Sequence, residues 1–300
     1  MQDHSDMDHV KSKTLKLVKI PFAYSEAMEN TPVLYGNRPL LVQAFRPGGH
    51  NLNADDMYLY IRDLTTGQEI SRFGQRHSFA SAFVNGNEMN VFASEYDTKD
   101  WTQSIFRFSS TDLKTWKREL AVPRQGGEHL FNTSVCKDPH GFVMAYESNE
   151  PVMFCFRFAR SQDLSNWKDV EGLIFTGQNN EYSACPVIRY FAPYYYVMYL
   201  HQPISDHNGW ITFAARSKDL ENWQLSPLNP ILEAGEGEGI NNSDVDLFEY
   251  DGNTYLYYAT GDQDQWSSLR VAMFDGSMEE FWLSCFPEGR DAITVSTRIK

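Results

Sequence analysis

The chain has 300 residues, 14% of them aromatic, and carries 40 acidic against 26 basic side chains, a formal net charge of −14. Such an acidic balance argues against nucleic acid and anionic membranes as partners, and no run approaches the roughly 18 apolar residues that a membrane-spanning helix needs. What is left is a chain long enough for one closed domain and rich in the bulky rings that fill one.

Taken in chain order, residues 1–13 are polar and read as a tail outside the fold. They lack the basic-then-apolar order of a signal peptide, so cytoplasmic placement and export with a removed signal both stay open. Residues 14–20 alternate weakly and predict an extra strand that latches the first repeat to the last. Residues 14–300 are expected to form a single domain, because no linker or composition shift divides the chain.

The first unit has short apolar runs at 32–34, 40–45 and 57–61, with turns at Gly36-Asn37-Arg38 and Thr66-Gly67. The second has runs at 80–84, 89–93 and 104–108 and ends on Ser110-x-Asp112-Leu113-x-x-Trp116. The third, at 132–136, 142–146 and 154–159, ends on the same pattern, Ser161 to Trp167; so does the fourth, at 184–189, 194–199 and 210–215, with Ser217 to Trp223. A fifth, at 244–250, 254–258 and 269–274, lacks the motif but places Trp282 where its tryptophan belongs. Two hairpins per unit make a four-stranded antiparallel sheet. Repetition at 50-odd residues makes the fold all-β, a five-bladed β-propeller whose blades bury one another's faces.

Blade order separates two ends of the molecule. The tight turns and the Ser-x-Asp-Leu corners carry turn chemistry, in which Ser and Asp side chains cap nearby backbone amides. The other end gathers carboxylates, amides, arginines, histidines and tryptophans at the starts of the innermost strands and on the long loops, among them Glu147 to Glu150. That mixture suits a carbohydrate: rings to stack on sugars, amides and Arg for hydroxyls, and a carboxyl pair for a glycosidic bond.

The five blades, the corner motif and stretches such as Glu181-Tyr-Ser-Ala-Cys-Pro-Val-Ile-Arg189 and Asp244-Val-Asp-Leu-Phe-Glu-Tyr-Asp-Gly-Asn253 resemble the five-bladed propeller glycosidases, a group that includes arabinanases, xylosidases, arabinofuranosidases and invertases. The resemblance spans residues from about 20 to 290. It implies a glycoside hydrolase, with an acid Glu opening the innermost strand of blade 4, where Glu181 stands. It also implies an Asp-Pro on blade 1, where the chain has Asn30-Thr31-Pro32 with Glu29 the nearest carboxylate, and an Asp on blade 3, where Asn132 stands with Glu128 four residues earlier.

The catalytic candidates are therefore Glu181, Asp244, Glu29 and Glu128, with Asp244 the expected partner of Glu181, kept ionised by donors on Asn241 and Asn242. Arg46, His77, Asn132, Asn242, Asp246, Trp210 and Trp266 are the candidate substrate contacts. The expected ligand is an oligosaccharide from a plant or algal polysaccharide, taken by exo-action because long loops wall a pocket. A sugar-binding propeller without catalysis is the alternative. No cofactor or metal is expected, since the histidines lack ligand spacing and no calcium-loop pattern occurs. The four cysteines read as buried thiols rather than a zinc site, with a Cys136–Cys155 bridge the less favoured reading.

Overall fold

The computed structural model describes residues 14–20, 29–46, 53–152, 154–177, 182–201, 209–262 and 267–297. Five antiparallel sheets stand around an axis, one per repeat. The innermost strands are Asn30–Tyr35, His77–Asn85, Leu130–Asp138, Ser183–Phe191 and Ser243–Tyr250, and each packs on the next to close a ring. The expected tail, residues 1–13, lies outside the described residues.

Ring closure comes from the N-terminal segment. Leu17–Ile20 is the outermost strand of blade 5, pairing with Ser267–Phe274 in the register Leu17↔Phe274 to Ile20↔Val271. Lys19 then reaches inward: its Nζ donates to Glu238 Oε2 at 2.5 Å, Asn242 Oδ1 at 2.8 Å and the Glu233 carbonyl at 2.6 Å. Tyr258 donates to the other Glu238 oxygen at 2.7 Å, so the buried carboxylate is paired on both sides, as burial of a charge requires.

The corners behave as turn chemistry dictates. Ser110 Oγ accepts from Leu113 N at 2.9 Å, and Asp112 Oδ1 accepts from Lys114 N and Thr115 N, both at 2.8 Å. Asp163 and Asp219 do the same in their blades. Each corner tryptophan lands on the preceding blade: Trp116 stacks on Phe73 at 3.7 Å, Trp167 meets Phe92 at 5.7 Å, and Trp223 lies against Phe158 and Phe175. Only Trp223 of these three is fully buried, because a strand the sequence reading did not anticipate, Thr294–Ser296, pairs with Asn222–Leu225 and makes blade 4 five-stranded.

Blade 5 solves its corner differently. A short helix, Met278–Ser284, replaces the turn and opens with a capping box between Ser277 and Glu280, which satisfies orphan amides at its first turn. It delivers Trp282 onto Tyr196 of blade 4 at 5.4 Å, fully buried, the equivalent of the motif tryptophan.

Candidate active site

The innermost strands do not run straight into the channel. Four of them shift register near their starts, between Ser78 and Ser81, Leu130 and Thr133, Ala184 and Val187, and Ser243 and Asp246. At three of these bulges a non-glycine residue takes the left-handed backbone conformation: Phe79 (φ 56°), Cys185 (φ 50°) and Asp244 (φ 49°). Bulges re-aim side chains, and strained backbone of this kind concentrates at functional sites. Here they bring Cys185 and Asp244 to the same channel, lined also by Glu29, Asn30, Asn132 and Asp246.

Cys185 is the hub. Its thiol donates to Asp244 Oδ1 at 3.1 Å, its backbone N–H donates to Glu147 Oε2 at 2.9 Å, and Asn132 Nδ2 approaches its sulfur at 3.2 Å. Asn132 also donates to Glu147 Oε2 at 3.0 Å, and Ser243 Oγ donates to Asp244 Oδ2 at 2.6 Å. Glu29 is buried and forms an ion pair with Arg46 at 2.9 Å, and the guanidinium lies 4.7 Å over the Phe79 ring.

Carboxyl groups gathered at so buried a site shift one another's acidity. Burial, reinforced by the charges of Asp244 and Glu29 and opposed by the two hydrogen bonds, pushes Glu147 up to about 7. Glu29 is raised by burial against the pull of Arg46. Burial and then the neighbouring carboxylates hold the Cys185 thiol well above its usual range. The Tyr182 phenol is raised for the same reasons, burial first and then the charge of Glu147. Burial thus favours the protonated forms of Glu147, Glu29, Cys185 and Tyr182.

Below it, neighbouring blades are tied to one another. Ser81 and Thr133 hydroxyls meet at 2.6 Å, and Arg189 binds Asp246 at 2.6 Å and the Leu247 carbonyl at 2.9 Å. The structure thus brings together Asp244, Glu29, Arg46 and Asn132, with Asp246 committed to an ion pair deeper down. It does not bring Glu128 to them: that buried carboxylate binds Arg157 at 2.7 Å and Gln125 N at 2.8 Å within blade 3. His77 sits between Phe106 and Phe108, with Nδ1 on the Gln75 carbonyl, and burial lowers it to about 4, so it is a neutral packing residue. Asn242 belongs to the Lys19 and Glu238 closure, and Asn241 accepts from Trp210 N at 3.0 Å. The expected asparagine donors to Asp244 are replaced by Ser243 and Cys185. Glu181 and Trp266 lie outside the described residues; Trp210 is half-buried near Tyr182.

Two members of the cluster were not singled out from sequence. Glu147 reads as the start of a loop, yet its strand runs Gly141–Ser148, and inward alternation over that longer strand is the signal that would have found it. Cys185 reads as one of four buried thiols. All four are unbridged, but Cys185 alone is not fully buried, and its position next to a proline at the start of an innermost strand was the available cue.

No family model and no curated protein matches the chain. Solved structures do. A thermostable family-43 glycoside hydrolase is similar over 92% of this chain and 95% of its own, at a TM-score of 0.63 and 14% identity. BT0996, solved as an RGII complex, gives 0.64 at 14% identity, over 92% and 94%. The α-L-arabinofuranosidase PaAbf62A from Podospora anserina, solved with cellotriose, gives 0.62 at 9% identity, over 83% and 91%. At these identities the likeness is one of fold: the chain has the five-bladed propeller of the family-43 and family-62 glycoside hydrolases.

Proposed function

We propose that the chain is a glycoside hydrolase that removes sugar units from the ends of oligosaccharides derived from plant or algal polysaccharides, with Glu147 and Asp244 as its carboxyl pair. The observation that carries this reading is the bridge through Cys185, which joins a carboxyl group titrating at about 7 to one that accepts hydrogen bonds on both oxygens. Both donors to Glu147 fall on Oε2, which leaves Oε1 to carry the proton. A buried, protonated carboxyl is what a general acid needs. As the glycosidic C–O bond breaks, Glu147 gives its proton to the leaving oxygen. Asp244 acts at the anomeric carbon, directly as nucleophile or by taking a proton from the attacking water. Arg46, held by Glu29, and Asn132 are placed to receive hydroxyls.

Glu181 stays a candidate acid from the resemblance. Single variants Glu147→Gln, Glu181→Gln and Asp244→Asn, assayed on aryl α-L-arabinofuranosides and β-D-xylosides with good and poor leaving groups, separate the roles. The true acid loses roughly 10²–10⁴-fold on the poor leaving group and much less on the activated one. Azide restores turnover in Asp244→Asn if Asp244 is the nucleophile. Full activity in both Glu147→Gln and Asp244→Asn rejects the pair.

The second reading, a sugar-binding propeller without catalysis, is favoured by one observation. Glu29, the carboxylate closest to the blade-1 position, is locked to Arg46, and blade 3 offers Asn132 in place of an acid. Binding without hydrolysis across the same glycosides would decide for it.

A further inference from the structure

A row of aromatic side chains leads away from the pocket across blades 4, 3 and 2. Tyr182 meets Phe154 at 5.0 Å, Phe154 meets Phe131 at 5.3 Å, and Phe131 meets Trp101 at 4.8 Å. Phe131 is buried and also touches Phe79, under Arg46, so the row is continuous with the site. Tyr182 and Phe154 are half-buried, and Trp101 at the far end is 38% exposed.

Most of the row would serve as packing under the loops. Trp101 does not fit that explanation. It stands at the tip of the hairpin between Glu88–Asp97 and Trp101–Ser110, at φ 56°, a conformation that favours glycine or asparagine and penalises a bulky ring. The tip is nevertheless built firmly. Asp97 Oδ1 accepts from Lys99 N and Asp100 N, Arg124 binds Asp100 at 2.6 Å, and the indole is braced by His129 at 5.4 Å. A strained, rigidly held and exposed tryptophan contributes little to the core and much to a flat surface on which a ring can stack.

We propose that Trp101 is the outer stacking platform of an oligosaccharide-binding row, so that the sugar units beyond the scissile bond leave the pocket over blades 4 and 3 and rest on blade 2. This rests on the glycosidase reading of the pocket for the position of the scissile bond, but the platform itself is a binding site and is measurable without catalysis. Sugars suit the row because their apolar faces stack on rings, while Asn149, whose Oδ1 accepts from the amide of the His129 that braces the indole, brings an amide side chain to the same edge for hydroxyls.

The test combines titration calorimetry and hydrolysis, using arabino- and xylo-oligosaccharides from disaccharide to hexasaccharide together with an aryl monoglycoside, on the wild-type chain, Trp101→Ala and Trp101→Phe. The expected result is a loss of about tenfold in affinity and kcat/KM in Trp101→Ala, confined to the longer chains. The aryl monoglycoside is unaffected, and Trp101→Phe recovers most of the loss. An Ala variant indistinguishable from wild type at every length, or weakened equally at every length, overturns the platform and leaves the hydrolase standing. Length-dependent binding that collapses in Trp101→Ala with no bond cleaved by any protein keeps the platform and removes the hydrolase. Failure of every chain to bind the wild type overturns the platform.

Discussion

Cys185 Sγ lies 3.1 Å from Asp244 Oδ1, and both residues take a left-handed backbone conformation at register shifts in adjacent blades. The thiol is a donor to that carboxylate, while the amide of the same residue donates to Glu147. Removing the thiol alone should therefore disturb Asp244 and spare Glu147. We expect Cys185→Ser, which keeps a donor, to retain activity within about threefold, and Cys185→Ala to lose about tenfold, as suits one hydrogen bond to a charged group. Because the thiol is held protonated by burial and by its carboxylate neighbours, iodoacetamide should label it far more slowly than a free thiol at pH 8. Rapid labelling, or an Ala variant as active as wild type, would remove Cys185 from the positioning of Asp244.

The acidity of Glu147 makes a pH prediction. Its carboxyl is raised from 4.5 to about 7 in the folded protein, so hydrolysis of substrates with poor leaving groups should fall as pH rises through about 7. The same shift acts on stability. The proton is bound more tightly by the folded state, so its contribution is complete below about pH 4.5 and is lost as pH rises through 7. Over that interval the wild type should lose up to roughly 3 kcal/mol relative to Glu147→Gln. Urea titrations of both proteins at pH 4.5 and pH 8 measure it, and parallel behaviour of the two would show that Glu147 is not the buried acid described here.

His77 is assigned to packing, and its pKa, lowered by burial to about 4, gives a separate sign. A histidine that stays neutral when folded stabilises fully above its unfolded pKa of about 6.5. That contribution is lost as pH falls through 6.5 toward 4. His77→Gln should keep hydrolytic activity within about twofold and flatten the acid limb of the stability curve by roughly 3 kcal/mol. A selective loss of substrate affinity with an unchanged acid limb would return His77 to the binding site.

The blades were legible because each rests on a local signal that tertiary context has no reason to override: apolar runs of strand length, turns of Gly, Asn and Asp, and a corner whose Ser and Asp close on their own backbone. The pocket was legible only by residue type. Which carboxylates meet depends on bulges at Cys185 and Asp244, on a strand that runs on through Glu147, and on arginines. Arg157 takes Glu128 and Arg46 takes Glu29, pairings across separate strands of one blade that periodicity does not encode. Asn242 was misplaced for a related reason, since Lys19, more than two hundred residues away, claims it.

The corner tryptophans test how much the late strand Thr294–Ser296 contributes. Trp116, Trp167 and Trp223 occupy equivalent positions, but only Trp223 is covered on its outer side, and its indole N–H is satisfied by the Leu220 carbonyl at 2.9 Å. Truncating a fully buried tryptophan costs about 3–5 kcal/mol, and less where solvent already reaches the ring. Trp223→Ala should therefore destabilise by that amount, with Trp116→Ala and Trp167→Ala losing about half as much. Deleting residues from 294 onward should bring Trp223→Ala down to the level of the other two, because the same ring would then be half-exposed. None of the three substitutions should change sugar affinity in the folded fraction, since the corners lie at the end of the propeller away from Cys185 and Asp244. Equal costs at all three sites in the full-length chain would mean that the added strand contributes nothing to the burial of Trp223, and that the corner motif alone sets the energy of each blade contact.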